Sequence, residues 1–349
     1  MRFLDVDAAR GAGLPWPDTY YRPEYGAAVQ ESDVARWEVA VFEPGPVLVP
    51  YLLRPVDPDL VSGSTPLFDI VSPYGYAGPW APEGTPATEL RRARTALRDA
   101  WRDRGVVAEF HRLSPYLPGV RAWEELEDLL VWAHNETVRV DLSPDPETMW
   151  ARAAGRHRTS VRKARKKGWS VDVRPVQPED VRQGSPFRLL YEGTMQRVQT
   201  SAYYFFPDAY YDQMLALGDD LWIATARDEG GGAGAASLFM RTSGGAHYHL
   251  SGSERDAARD GANNLMLHEA MLALREAGAA WIHLGGGVRA DDALFKFKLS
   301  FGGERLSFRL ARSVLDPGRY AALALRRADA TGRTLPELED SGYFPTYRG

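Results

Sequence analysis

Residues 246–287, AHYHLSGSERDAARDGANNLMLHEAMLALREAGAAWIHLGGG, decide the fold. AHYHLSGS predicts a strand, and SERDAARDGAN predicts a loop. The helical spacing of apolar residues in NLMLHEAMLALREAG predicts a helix that ends at Gly278. AAWIHLGGG then predicts a second strand, so the segment is one strand–loop–helix–strand unit.

A similar unit occurs earlier in the chain. LFDIV, residues 67–71, predicts a strand that runs into the Gly/Pro/aromatic loop SPYGYAGPW. Residues 85–104 show helical spacing, Gly105 is placed to end that helix, and VVAEFHRL predicts the next strand. Because Gly105 and Gly278 occupy equivalent places, the chain is predicted to contain two copies of one unit. Two unrelated α/β units remain an alternative.

The joint between the copies is predicted near residue 143, where VRVDLSPDPETMW has a Pro-rich stretch that leads into a new helix. We therefore expect a first domain over residues 1–143 and a second over residues 144–316. The helical pattern that starts at Pro317 predicts that residues 317–349 return to complete the first domain.

The composition excludes several kinds of chemistry. The chain has 349 residues, of which 44% are hydrophobic and 26% charged, a net charge of −5 and no cysteine. It therefore has no disulfide, thiolate zinc site or thiol intermediate. Phosphate-loop, serine-hydrolase and zinc-protease motifs are also missing. His247 and His249 share a strand face without an evident carboxylate or thiolate partner, so a packed or hydrogen-bonding pair is favoured over a metal site.

The N-terminal sequence lacks a basic segment followed by an apolar run, and no stretch of about 18 uninterrupted apolar residues is present. These features favour a cytoplasmic protein without a membrane span.

A dense basic run opens the second domain. At helical spacing these residues would cover most of a helix surface with positive charge, which suits phosphate binding but also a solvated helix. The run comprises Arg152, Arg156, His157, Arg158, Arg162, Lys163, Arg165, Lys166 and Lys167.

Four segments carry a resemblance to a known family. They are VDLSPDPETMWARAAGRHRTSVRKARKKG, LLYEGTMQRVQTSAYYF, HYHLSGSERDAARDGANNLMLHEAMLALREAG and LGGGVRADDALFKFKLSFGG. Together they resemble the FemABX peptidyltransferases, which add amino acids from aminoacyl-tRNA to peptidoglycan precursors. The resemblance covers residues 138–303 and implies an α/β (α+β) fold of two tandem GNAT-like domains, each a mixed, mostly antiparallel sheet flanked by helices. A long heptad-patterned insertion is missing between Val181 and Leu221, as in the shorter, armless members.

The resemblance also implies site residues. Lys298, with Phe297 beside it, matches the lysine thought to stabilise charge at the reacting ester, because a fixed ammonium favours a developing oxyanion or alkoxide. A surface lysine is the alternative, and Lys296 would share its face on a strand. Arg197 and Tyr203 match the part of the pattern that grips the acceptor's phosphate and sugar; a core or lid role for the tyrosine is equally open.

Further candidates are less specific. Tyr248 ends a strand and either binds substrate or packs in the core. In the first domain Tyr74, Tyr76 and Trp80 lie on a glycine-rich loop where backbone can approach a ligand, and Asp69 is a candidate for orienting an amine. In the basic run the tRNA contacts are expected at Arg158, Arg162, Lys163, Arg165 and Lys166.

The sequence of the loop before the second-domain helix indicates which acyl donor is expected. Coenzyme A acyltransferases of this fold use [RQ]-x-x-G-x-[GA] to bind the pyrophosphate. Here the frame ARDGAN, residues 258–263, keeps Gly261 but loses the first and last positions. Aminoacyl-tRNA is therefore the expected co-substrate, with no other cofactor, although a coenzyme A thioester stays possible if Arg255 or Arg259 supplies charge.

The sequence thus predicts an acyltransferase that joins an amino acid from aminoacyl-tRNA to an amine. The acceptor is a peptidoglycan precursor or a natural-product or peptide intermediate, and the sequence does not separate these. An acyl-coenzyme A N-acyltransferase and a non-catalytic binding protein with decayed sites are the other hypotheses.

Overall fold

The computed structural model describes residues 1–32, 35–43, 45–124 and 126–349. The strands are β1 (Arg2–Leu4), β2 (Arg36–Phe42), β3 (Val47–Pro55), β4 (Phe68–Val71), β5 (Val106–Leu113), β6 (Leu130–Asp141), β7 (Ser170–Pro175), β8 (Leu221–Arg227), β9 (Ala233–Thr242), β10 (Gly245–Ser253), β11 (Trp281–Gly286) and β12 (Glu304–Val314). The α-helices are α1 (Val6–Arg10), α2 (Pro23–Glu31), α3 (Ala87–Asp103), α4 (Pro118–Arg121), α5 (Pro146–Arg152), α6 (Gly155–Lys166), α7 (Pro178–Val181), α8 (Pro186–Arg197), α9 (Asp208–Met214), α10 (Arg255–Asp260), α11 (Ala262–Glu276), α12 (Ala293–Leu299), α13 (Pro317–Thr331) and α14 (Leu335–Asp340).

Internal contacts divide the chain into two units. The first unit contains Met1–Trp16, Tyr20–His134 and Phe308–Gly349, and the second contains Pro17–Thr19 and Asn135–Ser307. The divisions at residues 134/135 and 307/308 lie before the boundaries expected at 143 and 316. Residues 317–349 lie in the first unit.

The first unit contains a sheet in the order β1-β2-β3-β4-β5-β12. Only β4 and β5 in this series pair in parallel, and α3 provides the crossover between them. The apolar face of α3, with Leu90, Ala93, Leu97 and Trp101 buried, packs into the core of this unit. The helical spacing read from the sequence therefore marks the buried face correctly.

The second unit repeats this arrangement. Its sheet has the order β6-β11-β10-β9-β8-β7, and β10 and β11 form the parallel pair joined through α11. Gly105 and Gly278 follow the two crossover helices with φ of 77° and 95°, a conformation that favours glycine. The predicted α/β class with mostly antiparallel sheets flanked by helices is confirmed.

The parallel pair of the second unit separates after three residues. Gly245, Ala246 and His247 pair with residues 281–283 of β11. Beyond this point β10 continues along β9 as far as Ser253, while β11 continues along β6 as far as Gly286. The strands therefore diverge from residue 248 on β10 and residue 284 on β11, which opens a gap in the sheet.

A membrane-spanning helix is absent from the part of the chain that the structure describes, because none of its helices combines the necessary length with a sufficiently apolar sequence.

Two glycines of the second unit give a test of its packing. A Cβ at Gly252 on β10 would overlap the backbone of Leu190 and Tyr191 in α8, whereas a Cβ at Gly193 in α8 meets open space. We expect Gly252→Ala to lower the free energy of unfolding by about 1–3 kcal/mol through overpacking. Gly193→Ala should instead raise it by about 0.5–1 kcal/mol through helix propensity. Denaturant titration measures both, and an unchanged Gly252→Ala would contradict the close approach of α8 to β10.

Candidate active site

Lys298 lies where the two strands diverge. Its side chain is buried, and Nζ donates a hydrogen bond of 2.7 Å to the carbonyl oxygen of Gly286 at the end of β11. Nζ also lies 5.8 Å from the ring centroid of Tyr248, the first residue of β10 beyond the paired segment. The second-unit candidates Lys298 and Tyr248 are thus brought together in the gap of the sheet.

Burial changes the protonation of this amine. Removal from water lowers the pKa of Lys298 from 10.5 to about 8, and the nearby charge of Asp292 opposes that shift. A lysine in this state can be positively charged near neutral pH and can also release a proton. This makes it suitable either for stabilising an oxyanion or for donating a proton to a leaving oxygen.

The segment that carries Lys298 is a helix, so the expected strand is wrong here. In α12 the residues Phe295 and Lys298 are buried and three apart, whereas Lys296 is exposed. The predicted shared face of Lys296 and Lys298 does not exist, because two residues along a helix point in nearly opposite directions. Phe297 is half-buried and packs edge-to-face on Phe301 at 5.2 Å.

The phenol of Tyr248 forms hydrogen bonds with serine side chains. Burial raises the pKa of the Tyr248 phenol, and hydrogen bonds to Ser251 and Ser237 act in the opposite direction. Ser237 Oγ donates to Ser251 Oγ at 2.7 Å. The phenol is therefore neutral and held in a small network of hydroxyl groups.

Arg197 ends α8 beside a different opening. Its guanidinium donates to Thr194 Oγ1 at 3.0 Å and to the carbonyl oxygen of Ser253 at 2.8 Å. It lines an open pocket of about 560 Å³ that also contains more acidic than basic side chains. The charged lining residues are Arg197, Arg255, Asp228, Glu254, Asp256 and Asp260. Phosphate binding by Arg197 stays a prediction, since its surroundings are not uniformly basic.

Tyr203 lies in the 3₁₀ turn Ala202–Tyr204. Its ring is half-buried and contacts Tyr204 edge-to-face at 5.6 Å. Sugar binding by this residue stays a prediction.

Most of the basic run forms helix α6, with Arg152 at the end of α5 and Lys167 after α6, but the charge does not surround the helix. One face is buried through His157, Val161 and Ala164. The positive charge therefore lies on the exposed faces of α6, while the buried face packs against α10 and α11.

Several of the expected tRNA contacts have partners inside the second unit. Arg158 donates to the carbonyl oxygen of Ala151 near the end of α5, and Lys163 donates to that of Arg259. Arg165 pairs with Glu269 at 2.7 Å, and the Arg162 guanidinium lies 5.5 Å from the Trp150 ring centroid. Lys166 is exposed. The exposed edge of α6 therefore retains Arg162 and Lys166 as its best positioned cations.

The predicted loop before α11 contains the short helix α10, which the sequence analysis missed. Gly261 follows with φ of 91° and begins α11. A Cβ on Gly261 would overlap the backbone of Ser160 in α6, so α6 lies directly against this junction. Lys167 and Asp260 form an ion pair of 2.5 Å across the same contact. Gly261 itself is therefore packed against α6, while Arg255, Asp256 and Asp260 before it line the open pocket of about 560 Å³.

The first-unit candidates lie on and near the loop after β4. The Tyr74 carbonyl oxygen accepts a hydrogen bond of 2.8 Å from Tyr25, and Tyr76 contacts Phe308 edge-to-face at 5.2 Å. Trp80 pairs its backbone with Leu48. All three candidates are half-buried, and their ligand-binding roles stay predictions.

Asp69 lies in an internal ion cluster of the first unit. Its carboxylate is buried and contacts Arg54 at 2.6 Å and Arg348 at 2.5 Å, with Tyr347 Oη at 3.3 Å. These partners occupy both oxygens, so the position of Asp69 gives its predicted amine-orienting role no support.

The two strand histidines have separate partners. His247 Nε2 lies 2.8 Å from Asp18 Oδ2, and both side chains are buried. His249 Nε2 lies 2.6 Å from Tyr210 Oη. The predicted hydrogen-bonding role is confirmed, although Asp18 is a carboxylate partner that the sequence did not reveal. No group of three or more acidic or histidine ligands with metal-site geometry occurs among the described residues.

Two elements near Lys298 were missed by sequence reasoning. One is the Gly286 carbonyl oxygen, which is a backbone group and therefore cannot be identified from a motif of side chains. The other is Asp292, the N-cap of α12, whose oxygen accepts from Phe295 N at 2.7 Å. Aspartate is a common N-cap residue, so Asp292 is a signal for the start of a helix. The alternating pattern of the following FKFKLSF indicates a strand instead, and the signal was therefore missed.

These features define a fold of two tandem GNAT-like units. Residues 152–298 match the family model described as an acetyltransferase (GNAT) domain. The second unit therefore carries an acyltransferase-type domain. No curated protein is significantly similar in sequence to the chain.

Among solved structures the fold is similar to that of FemX, with a TM-score of 0.67 at 13% identity, over 92% of this chain and 99% of FemX. It is also similar to the C-terminal domain (DUF2156) of a protein assigned as a lysylphosphatidylglycerol synthetase from Agrobacterium fabrum. That match has a TM-score of 0.58 at 19% identity, over 94% and 95% of the two chains. A tandem GNAT protein from the clavulanic acid biosynthesis pathway gives 0.50 at 10% identity, over 89% and 88%. The resemblance to the FemABX proteins is confirmed at the level of the fold.

Replacement of Lys298 by methionine tests the buried amine. Since the folded-state pKa of about 8 is below 10.5, the unfolded chain binds more protons between these values, and the parent gains stability as pH rises through that window. We expect Lys298→Met to be at least as stable as the parent at pH 7 and to lose this advantage above about pH 8. Denaturant titrations across this range measure the difference.

The exposed Lys296→Met is the matched control and should leave the free energy of unfolding within about 0.5 kcal/mol of the parent. A Lys298→Met variant that is clearly less stable than the parent at pH 7 would contradict a destabilising buried ammonium.

Proposed function

We propose that the protein is an aminoacyltransferase that forms an amide bond between an amino acid carried by aminoacyl-tRNA and an amine acceptor. The observation that carries the proposal is the buried Lys298 ammonium at the end of β11, within 2.7 Å of the Gly286 carbonyl oxygen. The acceptor is a peptidoglycan precursor or a natural-product or peptide intermediate.

The reaction needs little from the protein beyond charge and position. The acceptor amine attacks the ester carbonyl carbon of the aminoacyl group, and the carbonyl oxygen gains negative charge. The carbon–oxygen bond to the ribose then breaks while the amide forms, and the proton lost by the amine balances the one gained by the ribose hydroxyl. Lys298 would stabilise the oxyanion and protonate the leaving oxygen, which its lowered pKa favours.

The donor assignment is supported by the packing around Gly261. Gly261 at the start of α11 lies against α6, and the pocket beside α10 carries more acidic than basic side chains, which disfavours the pyrophosphate of coenzyme A. The exposed edge of α6, with Arg162 and Lys166, offers charge to an RNA backbone. Similar folds occur in FemX and in the protein assigned as a lysylphosphatidylglycerol synthetase, which is consistent with an aminoacyl donor.

An acyl-coenzyme A donor is the second candidate. It is favoured by the acetyltransferase (GNAT) match over residues 152–298. Calorimetric titration with coenzyme A separates the two: saturable binding supports this candidate, and no binding supports the aminoacyl-tRNA donor.

The catalytic assignment is tested with charged total tRNA and candidate amine acceptors. We expect product formation to stop after ribonuclease treatment, and Lys298→Ala to reduce the rate by about 10²–10³-fold, the usual effect of removing one charge-stabilising donor. The exposed Lys296→Ala should keep parental activity. Product formation that survives ribonuclease would exclude tRNA as the donor, and an active Lys298→Ala would remove the lysine from the mechanism.

The tRNA surface is tested by reversing two charges on one face of α6. We expect Arg162→Glu/Lys166→Glu to weaken tRNA binding at least about tenfold and to reduce the slope of log affinity against log salt by about two. Filter binding at several salt concentrations measures both quantities.

The control is Arg91→Glu/Arg92→Glu on the exposed side of α3, which makes the same change of charge in the first unit. Equal losses in the two double variants would indicate a general charge effect and contradict a site on α6.

A further inference from the structure

The loop between β11 and α12 is fixed by one carboxylate. Asp292 Oδ2 accepts hydrogen bonds from the backbone amides of Val288 at 2.7 Å and Arg289 at 3.0 Å. Its other oxygen accepts from Phe295 N at 2.7 Å in the first turn of α12. A single side chain therefore joins the loop to the helix that carries Lys298.

The same loop begins at the group that holds the lysine. Gly286 supplies the carbonyl oxygen that accepts from Lys298 Nζ, and a Cβ on the next residue, Gly287, would overlap the Asp292 carboxylate. The chain thus passes close to Asp292 immediately after the residue that binds the ammonium. The bonds from Val288 and Arg289 to Asp292 therefore fix the loop within two or three residues of the Gly286 carbonyl oxygen.

We propose that Asp292 is a positioning residue for Lys298, which by clamping this loop to α12 sets the place of the ammonium in the gap between β10 and β11. The proposal rests on the function proposed above. It assigns to Asp292 a role beyond helix capping, because an N-cap needs only the bond to Phe295 N.

Electrostatics supports this geometry. The pKa of Asp292 is lowered, chiefly by its backbone hydrogen bond to Phe295, so the carboxylate is ionised at neutral pH. Its charge favours the protonated lysine, against the effect of burial. Among the described residues, the neutral phenol of Tyr248 on β10 lies near Lys298, and the charge of Lys298 acts on His283 of β11. Burial, followed by the nearby His247 and the charges of Lys298 and Arg139, lowers the pKa of His283 and keeps it neutral. Asp292 supplies the negative charge that favours the Lys298 ammonium.

Asp292→Asn separates positioning from capping. The asparagine keeps one oxygen for Phe295 N, but its amide group cannot accept from Val288 and Arg289, and it removes the charge. We expect kcat to fall about 10- to 100-fold while KM changes by less than about twofold. This is the usual effect of removing a group that orients a reactive residue without touching the substrate. The basic limb of the pH profile should move to lower pH, since loss of the negative charge lowers the pKa of Lys298 further.

The matched control is Asp145→Asn. Asp145 is the N-cap of α5, where it accepts from Thr148 N at 3.0 Å, and it has no described contact with Lys298. We expect Asp145→Asn to destabilise its helix about as much as Asp292→Asn does. Its kcat and pH profile should stay those of the parent.

A second readout does not depend on activity. The chain contains only five lysines, Lys163, Lys166, Lys167, Lys296 and Lys298. In protein labelled with ¹³C-lysine, the Cε signal of Lys298 can be assigned from its loss in Lys298→Arg. We expect this signal to titrate at lower pH in Asp292→Asn than in the parent, with the other four unchanged.

The outcomes distinguish the two proposals. Parental kcat and parental Lys298 titration in Asp292→Asn, alongside an inactive Lys298→Ala, would overturn the positioning role alone. An active Lys298→Ala would overturn the proposed catalytic role, whatever Asp292→Asn does to the titration.

Discussion

The second unit is organised around a short parallel pairing. β10 and β11 are held together over only three residues on each strand, and each then follows its other neighbour. The gap that results is where Tyr248, the Gly286 carbonyl oxygen and the Lys298 ammonium meet. A longer pairing would fill this space with backbone hydrogen bonds and would leave no room for a buried amine.

Burial of Lys298 is unfavourable for folding. A charged amine loses its hydration when it is buried, and among the described residues Lys298 has a carbonyl oxygen but no direct ion pair. Such a group persists when function requires it, because its lowered pKa places proton transfer near neutral pH. Burial lowers the pKa of the amine and the ionised Asp292 raises it, which leaves the pKa of Lys298 at about 8.

The sequence predicted the fold more reliably than the site. The crossover helices and the glycines that follow them have strong local signals, so α3, α11, Gly105 and Gly278 were identified correctly. The alternation in FKFKLSF is typical of a strand, but capping by Asp292 and burial of Phe295 and Lys298 make it a helix. The secondary structure of these seven residues depends on the neighbours that bury them, and a local sequence pattern does not predict those neighbours.

Contacts distant in sequence account for the remaining differences. The partner of His247 is Asp18, and the basic run loses one face to α10 and α11. The carboxylate of Asp69 is taken by Arg54 and Arg348, the latter near the C-terminus. None of these pairings follows from spacing or composition, since each depends on the tertiary fold.

The proposed mechanism requires the aminoacyl ester to lie beside Lys298. An RNA minihelix with an amide-linked 3′-aminoacyl group would mimic the donor without reacting. Its binding beside Lys298 would change the ¹³C chemical shift of the lysine Cε. We expect saturating minihelix to shift this signal, while the signal of the exposed Lys296 changes less and coenzyme A shifts neither. A Lys298 signal that is unmoved by the minihelix but shifted by coenzyme A would contradict the account.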